Sequence, residues 1–194
     1  LAERVLMETD RWFPSDGYGF PVRLEKDSKP LLKETSFSSV KVLKLHGSVG
    51  WIKGEKGTYL KSASYLQFML FSKDGERIRD VNAPSSESEG DPILIFPSYL
   101  KQIDNPTLQL IWDHAASALN QAAEVTFIGY SLPSADVAVR TLINPLRRRL
   151  DQKAVKVKVV DPDPTVRERW KKFLGEGVCY IERGAKDYFL SPDS

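Results

Sequence analysis

The sequence predicts an α/β protein in which a parallel β-sheet carries helices on both faces. In the C-terminal half, short apolar runs such as VTFI and KVKVV alternate with segments whose apolar residues recur at helical spacing. Strands that alternate with such helices indicate a parallel sheet. The composition, with 41% hydrophobic and 28% charged residues, is typical of a globular protein. We therefore expect one domain, covering residues 1–194.

The N-terminal half is predicted to contain a helix, a strand and an insertion. LAERVLMETDRWF has the apolar spacing of a helix. Apolar residues then alternate with polar ones from Val40 to Leu45, which predicts a strand that ends at His46. The segment 52–91 is rich in Lys, Gly, Ser and Glu, and we interpret it as an insertion or small subdomain.

The remaining elements follow in regular alternation. ILIF predicts a buried strand that ends at Pro97, and NPTLQLIWDHAASALNQAAE predicts the clearest helix. VTFI and KVKVV predict two further strands, and TVRERWKKFL predicts a helix after the second. Ligands of parallel sheets bind outside the carboxyl ends of the strands. The predicted strand ends carry HGS, FPS, GYS and DPD, so we expect these four segments at one edge of the sheet.

Charge, cysteine content and hydropathy exclude several classes of protein. A formal charge of +2 argues against direct binding of nucleic acid, and the arginines at 147–149 fit a solvated helix end. The lone Cys179 excludes an internal disulfide and a multi-cysteine zinc site, and we interpret it as a buried structural thiol. No apolar run reaches the roughly 18 residues of a membrane span, so we expect a cytoplasmic protein without a membrane partner.

His46 is the candidate base. An imidazole with its ordinary pKa of about 6.5 can exchange protons near neutral pH. Gly47, directly after it, would let a ligand approach the backbone closely. The alternative is a buried histidine that satisfies a turn.

Two later strand ends have the composition of nucleotide contacts. Gly129 ends a strand, Ser131 offers a hydroxyl, and the turn leads into a helix whose positive end can hold a phosphate or ribose oxygen. Asp136 falls in the first turn of that helix, where pairing with the helix dipole is the alternative. Asp161 follows its strand at the position where dinucleotide-binding folds place an acid for the ribose hydroxyls, and a plain Asp-Pro-Asp-Pro turn is the alternative.

The order of these motifs, KLHGS, then IxFPS, FIGYSLPxxD and VVDP, resembles the sirtuin-like family. The similarity is to its divergent prokaryotic branch, whose members often consume NAD and serve in anti-phage defence. The resemblance implies a Rossmann-like fold, NAD as the cofactor and His46 as the catalytic residue. The cofactor-binding residues that it implies are Gly47, Ser48, Pro97, Gly129, Tyr130, Ser131, Asp136 and Asp161.

The implied reaction is cleavage of the nicotinamide–ribose bond of NAD. Deacylating sirtuins hold a structural zinc with four cysteines after the catalytic histidine, and the segment 52–91 occupies that place here without them. This difference favours NAD hydrolysis or ADP-ribosyl transfer, with no metal. Two alternatives are an NAD-dependent protein deacylase and a non-catalytic nucleotide-binding or sensing module.

Two motifs of the family do not occur in the sequence. These are a Gly-Ala-Gly-x-Ser phosphate loop and an Asn-x-Asp segment that orients the nicotinamide riboside. We therefore expect the chain to be the C-terminal portion of a sirtuin-like domain, incomplete at the N-terminus and inactive by itself. The expected partners are NAD as substrate, the upstream segment of the same domain, and either a second copy or an effector or sensor protein.

Overall fold

The computed structural model is a mixed α/β structure with two compact units. It describes residues 3, 5–6, 9–13, 16–20, 23–24, 38–54, 57–60, 92–95 and 105–190. The described residues up to position 95, together with 105–114, form the first unit, and 115–190 form the second.

The first unit contains a mainly antiparallel sheet of four strands. Strand β2 pairs antiparallel with β3 on one side and with β4 on the other, and the short β1 runs parallel to β3. The sheet order is β1-β3-β2-β4. The strands are β1 (Arg23–Leu24), β2 (Gly47–Gly54), β3 (Gly57–Leu60) and β4 (Pro92–Leu94).

Aromatic side chains form the core of this unit. The rings of Tyr18 and Phe20 each meet the Trp51 ring edge-on, at centroid distances of 5.0 Å. Such edge-to-face contacts add to the hydrophobic stabilisation that large rings provide on burial. The buried residues of the core are Trp12, Tyr18, Phe20, Trp51, Ile93, Leu108 and Ile111.

Helix α1 (Pro106–Gln121) confirms the clearest helical pattern of the sequence. Its N-terminus is capped by Asn105, whose Oδ1 accepts hydrogen bonds from the N–H groups of Thr107 and Leu108. Leu108 and Ile111 pack into the aromatic core of the first unit.

The second unit is a small parallel sheet of three strands flanked by helices. The strands lie in the order β5-β6-β7, which is also their order in the sequence. They are β5 (Glu124–Ile128), β6 (Lys156–Val160) and β7 (Cys179–Ile181). The helices are α2 (Val137–Ile143), α3 (Pro145–Asp151), α4 (Pro164–Leu174) and α5 (Ala185–Leu190).

Burial in this unit follows the apolar spacing of its segments. In β6, Val159 and Val160 are both buried although successive side chains of a strand point to opposite faces. Both faces of the central strand are therefore shielded from solvent, as is typical of parallel sheets. In α4, Val166, Trp170 and Leu174 recur every four residues and form its buried face.

The prediction of a strand that ends at His46 is wrong. Residues 41–44 have no regular structure, and the strand begins at Gly47. The apolar residues Val42, Leu43 and Leu45 instead pack as an irregular segment against the aromatic core. Their apolar character thus reflects burial against the core, without a strand partner.

The prediction of one parallel sheet with four strand ends at one edge is also wrong. The strands next to HGS and FPS are β2 and β4, and these belong to the antiparallel sheet. In β4 only Ile93 is buried, because successive side chains point to opposite faces and Ile93 faces the aromatic core. The GYS and DPD segments do follow adjacent parallel strands, as predicted. Pro97 and the rest of FPS lie outside the described residues.

Local differences from prediction have simple physical causes. The helix after the GYS turn begins at Val137, and Asp136 is its N-cap residue, so Asp136 lies before the first turn. Cys179 is exposed, because β7 is at one end of its sheet order. Arg147 and Arg148 are exposed, as expected for a solvated helix end, whereas Arg149 is half-buried. Of the predicted insertion 52–91, only 52–54 and 57–60 are described, and they continue β2 and form β3.

Candidate functional site

The predicted site residues fall into two groups, one in each unit. His46, Gly47 and Ser48 lie at the start of β2 in the first unit. The others follow strands β5 and β6 of the second unit. They are Gly129, Tyr130, Ser131, Asp136 and Asp161.

The backbone around His46 is held on both sides. The carbonyl oxygen of Leu45 accepts a hydrogen bond of 2.8 Å from Trp112 Nε1. The carbonyl of His46 accepts one of 2.9 Å from the N–H of Ile95. The N–H of Gly47 donates to Lys44 O at 2.9 Å and closes the turn. These contacts fix the main chain of His46, whose side chain is half-buried.

Gly47 is required by its neighbouring strand. Its φ is +79°, in the left-handed region that favours glycine. A Cβ atom at this position would lie 2.0 Å from the carbonyl oxygen of Ile93 in β4. The close approach that we expected from a ligand is therefore made by protein backbone.

Ser48 presents its hydroxyl as a hydrogen-bond donor. Its Oγ accepts hydrogen bonds from Lys44 Nζ at 3.2 Å and from the N–H of Gly50 at 3.3 Å. A serine oxygen has two acceptor positions and one hydrogen to donate. Within the part of the chain that the structure describes, that hydrogen has no acceptor, which leaves it to solvent or to a ligand.

A charge network with a buried carboxylate lies beside this turn. Lys44 Nζ is 2.6 Å from Glu3 Oε1, which also accepts a hydrogen bond of 3.1 Å from the Tyr18 hydroxyl. Burial, together with the Glu3 carboxylate, raises the pKa of Tyr18 far above its usual value of 10.0. Tyr18 therefore stays protonated and keeps donating to Glu3 throughout the physiological pH range.

Sheet pairing brings Gly129 and Asp161 to neighbouring positions in the second unit. Ile128 of β5 is paired with Val160 of β6, and the N–H of Gly129 extends the pairing to Val160 O at 2.9 Å. Neighbouring strands lie about 4.8 Å apart. The GYS turn and Asp161 therefore share the carboxyl edge of the parallel sheet.

Gly129 leaves open space in front of its backbone. Its φ of +64° is again in the left-handed region. Unlike at Gly47, a Cβ atom at this position would have no heavy atom of another described residue within 4 Å. The space that a side chain would fill is thus open at this turn, while the N–H of Gly129 is used in the sheet pairing.

The rest of the turn is held by two helices. Leu132 is fully buried with a φ of +54°, an uncommon conformation for a branched residue. Its carbonyl accepts a hydrogen bond of 3.2 Å from Arg140 Nη1 of α2. Trp170 of α4 donates from Nε1 to the carbonyl of Tyr130 at 3.1 Å. These contacts stabilise a conformation that costs backbone strain.

Tyr130 and Asp136 contact each other through their side chains. The Tyr130 hydroxyl donates to Asp136 Oδ2 at 3.1 Å, and Asp136 is buried. Burial, together with the Asp136 carboxylate, raises the pKa of Tyr130 well above 10.0. Ser131 is half-buried, and its hydroxyl makes no hydrogen bond to the described residues. Ser131 is therefore the better placed of these three side chains to contact a ligand.

Asp161 has the turn-shaping role that we weighed as the alternative. Its Oδ1 accepts a hydrogen bond of 2.9 Å from the N–H of Asp163 and so shapes the DPD turn. Its main-chain carbonyl accepts one of 2.8 Å from the Tyr180 hydroxyl. The second carboxylate oxygen, Oδ2, accepts no hydrogen bond from residues that the structure describes.

Several supporting residues were missed in the sequence. Lys44 and Glu3 are far apart along the chain, and no local pattern connects them. Arg140 follows Asp136 by one helical turn, a spacing that could have suggested a link between them. Trp170 was assigned correctly to a helix, but its hydrogen bond to Tyr130 joins residues far apart in the chain, so no local pattern predicts it.

No group of three or more His, Cys, Asp or Glu side chains could hold a metal ion in the described ranges. None of the helices described is long and apolar enough to cross a membrane. Comparison with protein-family models, curated proteins and solved structures found no significant match.

Proposed function

We propose that the chain is part of a sirtuin-like, NAD-consuming enzyme with a Rossmann-like fold. The proposed reaction is cleavage of the nicotinamide–ribose bond, followed by transfer of the ADP-ribosyl group to water or another nucleophile. The proposed setting is the cytoplasm of a prokaryote, in defence against phage. Its support is the order of the motifs and the chemistry of the residues that carry them.

One observation supports the proposal most directly, namely the adjacency of the GYS turn and Asp161. Ligands of open parallel sheets bind at the carboxyl edge that these residues share. The Ser131 hydroxyl can donate or accept, and Asp161 Oδ2 can accept. Together with the open backbone at Gly129, these groups match the hydroxyls and phosphate oxygens of a nucleotide.

In this proposal His46 acts as the general base. The fixed main chain of Leu45 and His46 limits the positions that the imidazole can reach. The imidazole takes a proton from a ribose hydroxyl or from the attacking nucleophile as the bond to nicotinamide breaks. Ser131 and Asp161 supply binding and orientation.

A second candidate is a nucleotide-binding or sensing module without turnover. It is favoured by the division of the predicted residues, because the open turn and Asp161 belong to the second unit while His46 belongs to the first. A module that only binds a nucleotide through its second unit would need no catalytic base.

Nicotinamide release separates the two candidates. We expect His46→Ala in the native protein to lower the rate of release by about 10² to 10⁴. Binding of ADP-ribose, measured by calorimetry, should be retained. The matched control is His114→Ala, which changes an exposed histidine on α1.

The outcomes differ clearly. Binding without nicotinamide release by the unaltered protein would favour the sensing module. Release that requires an acylated peptide would favour the deacylase. Equal rates for His46→Ala and His114→Ala, at unchanged melting temperature, would show that His46 is not the base.

A further inference from the structure

Lys44 contacts the candidate site through both its main chain and its side chain. Its carbonyl oxygen accepts the N–H of Gly47 at 2.9 Å, which closes the turn over His46. Its ammonium donates to Ser48 Oγ at 3.2 Å, on the other side of the same turn. Both contacts are to the two residues that directly follow His46.

The ammonium group of Lys44 is itself held in place. It pairs with Glu3 Oε1 at 2.6 Å, and the two side chains are only 29% and 10% exposed. It also lies 5.8 Å and 5.9 Å from the ring centroids of Tyr18 and Trp51. Aromatic rings attract a cation at these distances. Lys44 is therefore a fixed charge, unlike a solvated surface lysine.

We propose that Lys44 is a positioning residue which, held by Glu3, fixes the His46 turn and directs the Ser48 hydroxyl to donate to the ligand. An ammonium group has only donors, so Ser48 Oγ must accept from it. Gly50 occupies the second acceptor position. The hydroxyl hydrogen can then point only to another acceptor, such as a ribose, phosphate or carboxamide oxygen. The inference rests on the proposed function only in taking that ligand to be NAD.

If Lys44 only formed an ion pair with Glu3, replacing it would affect the stability of the protein and nothing else. Removal of Lys44 alone leaves a buried carboxylate without its cation, which destabilises a protein whatever else the lysine does. Changing Glu3 to Gln at the same time removes that unpaired charge. The double variant Glu3→Gln/Lys44→Met should therefore regain melting temperature, while Ser48 still lacks its donor.

The first experiment follows the histidine signals by NMR in the 194-residue chain labelled with ¹⁵N-histidine. The chain has two histidines, so His114 serves as an internal reference. We expect the imidazole signals of His46 to shift in Lys44→Met and to stay shifted in the double variant after its stability has recovered. Lys41→Met is the matched control, because Lys41 pairs with Asp16 and is more exposed. His46 signals that return to their original positions in the double variant would overturn the proposal.

The second experiment is a double-mutant cycle on NAD affinity in the native protein. Lys44→Met and Ser48→Ala should each weaken NAD binding by about three- to tenfold, the size of one hydrogen bond. Their combination should weaken it no further, because Lys44 acts through Ser48. If the losses of affinity of the two single variants multiplied in the combination, Lys44 would not act through Ser48, and the proposal would be overturned. Absence of NAD binding by the unaltered protein would refute the proposed function instead, while the His46 signals still test the role of Lys44.

Discussion

Two glycines with similar backbone angles are present for different reasons. Gly47 and Gly129 have φ values of +79° and +64°. At Gly47 the carbonyl of Ile93 fills the space that a side chain would need, whereas at Gly129 that space is open. The sequence alone presents both as glycines after an apolar run. Only packing shows which one leaves backbone accessible.

We expect Gly47→Ala to destabilise the protein more than Gly129→Ala. A left-handed backbone costs a residue with a side chain about 1 to 2 kcal/mol, and this cost applies to both variants. Gly47→Ala must in addition displace the β4 backbone. Urea unfolding of the two variants measures the difference. Equal losses of unfolding free energy would mean that β4 moves aside without cost.

At the scale of elements, the N-terminus of α4 is capped by a titratable side chain. Asp163 accepts hydrogen bonds of 2.9 Å from both the N–H and the hydroxyl of Thr165. These bonds hold the pKa of Asp163 below its usual value of 3.8. A lowered pKa means that the folded state binds this proton less readily than the unfolded state. The resulting stabilisation is present when the pH is above the usual pKa of 3.8, and it is lost as the pH falls through the lower pKa that Asp163 has in the folded state.

Asp163→Asn should therefore weaken the acid dependence of stability. Asparagine still caps a helix, but it does not titrate. We expect the melting temperature of the variant to fall less steeply than that of the unaltered protein as the pH drops below about 4. Thermal unfolding followed by circular dichroism from pH 7 to pH 3 gives this comparison. Parallel curves would contradict the assigned role of Asp163.

Sequence reasoning succeeded where local pattern decides the structure. The spacing of Leu108 and Ile111 predicted α1, and the apolar runs in the second unit predicted β5 and β6. It failed at Val40 to Leu45, because a period of two describes burial and does not identify a strand partner. It could not assign β2 to a separate sheet for the same reason, since strand pairing is a contact between distant residues.

On the scale of the whole molecule, long-range hydrogen bonds join elements that the sequence separates. In the second unit, Arg149 of α3 donates to the carbonyls of Leu119 and Ala122 at the end of α1, the latter at 2.7 Å. It also donates to Ala154 O at 3.3 Å, just before β6. A cation at a helix C-terminus also interacts favourably with the helix dipole. Arg149 thus connects three segments.

Arg149→Met should lower the free energy of unfolding by about 1.5 to 3 kcal/mol, the range for hydrogen bonds to a charged group. The neighbouring Arg148→Met should stay within about 0.5 kcal/mol, because Arg148 is exposed. Chemical denaturation of both variants measures the contrast. A loss for Arg149→Met no larger than that for Arg148→Met would show that solvent replaces these bonds without cost.

The hydrogen bond from Trp170 to the GYS turn makes this indole an optical reporter. Indole emission depends on the polarity and hydrogen bonding around the ring, and Trp170 is fully buried against the turn. The other three tryptophans, Trp12, Trp51 and Trp112, all belong to the first unit. With these replaced by phenylalanine, the tryptophan fluorescence that remains would come from Trp170 beside the GYS turn alone. A nucleotide that displaces the Tyr130 carbonyl would then change the emission wavelength, and the time course of that change would give its rate of entry.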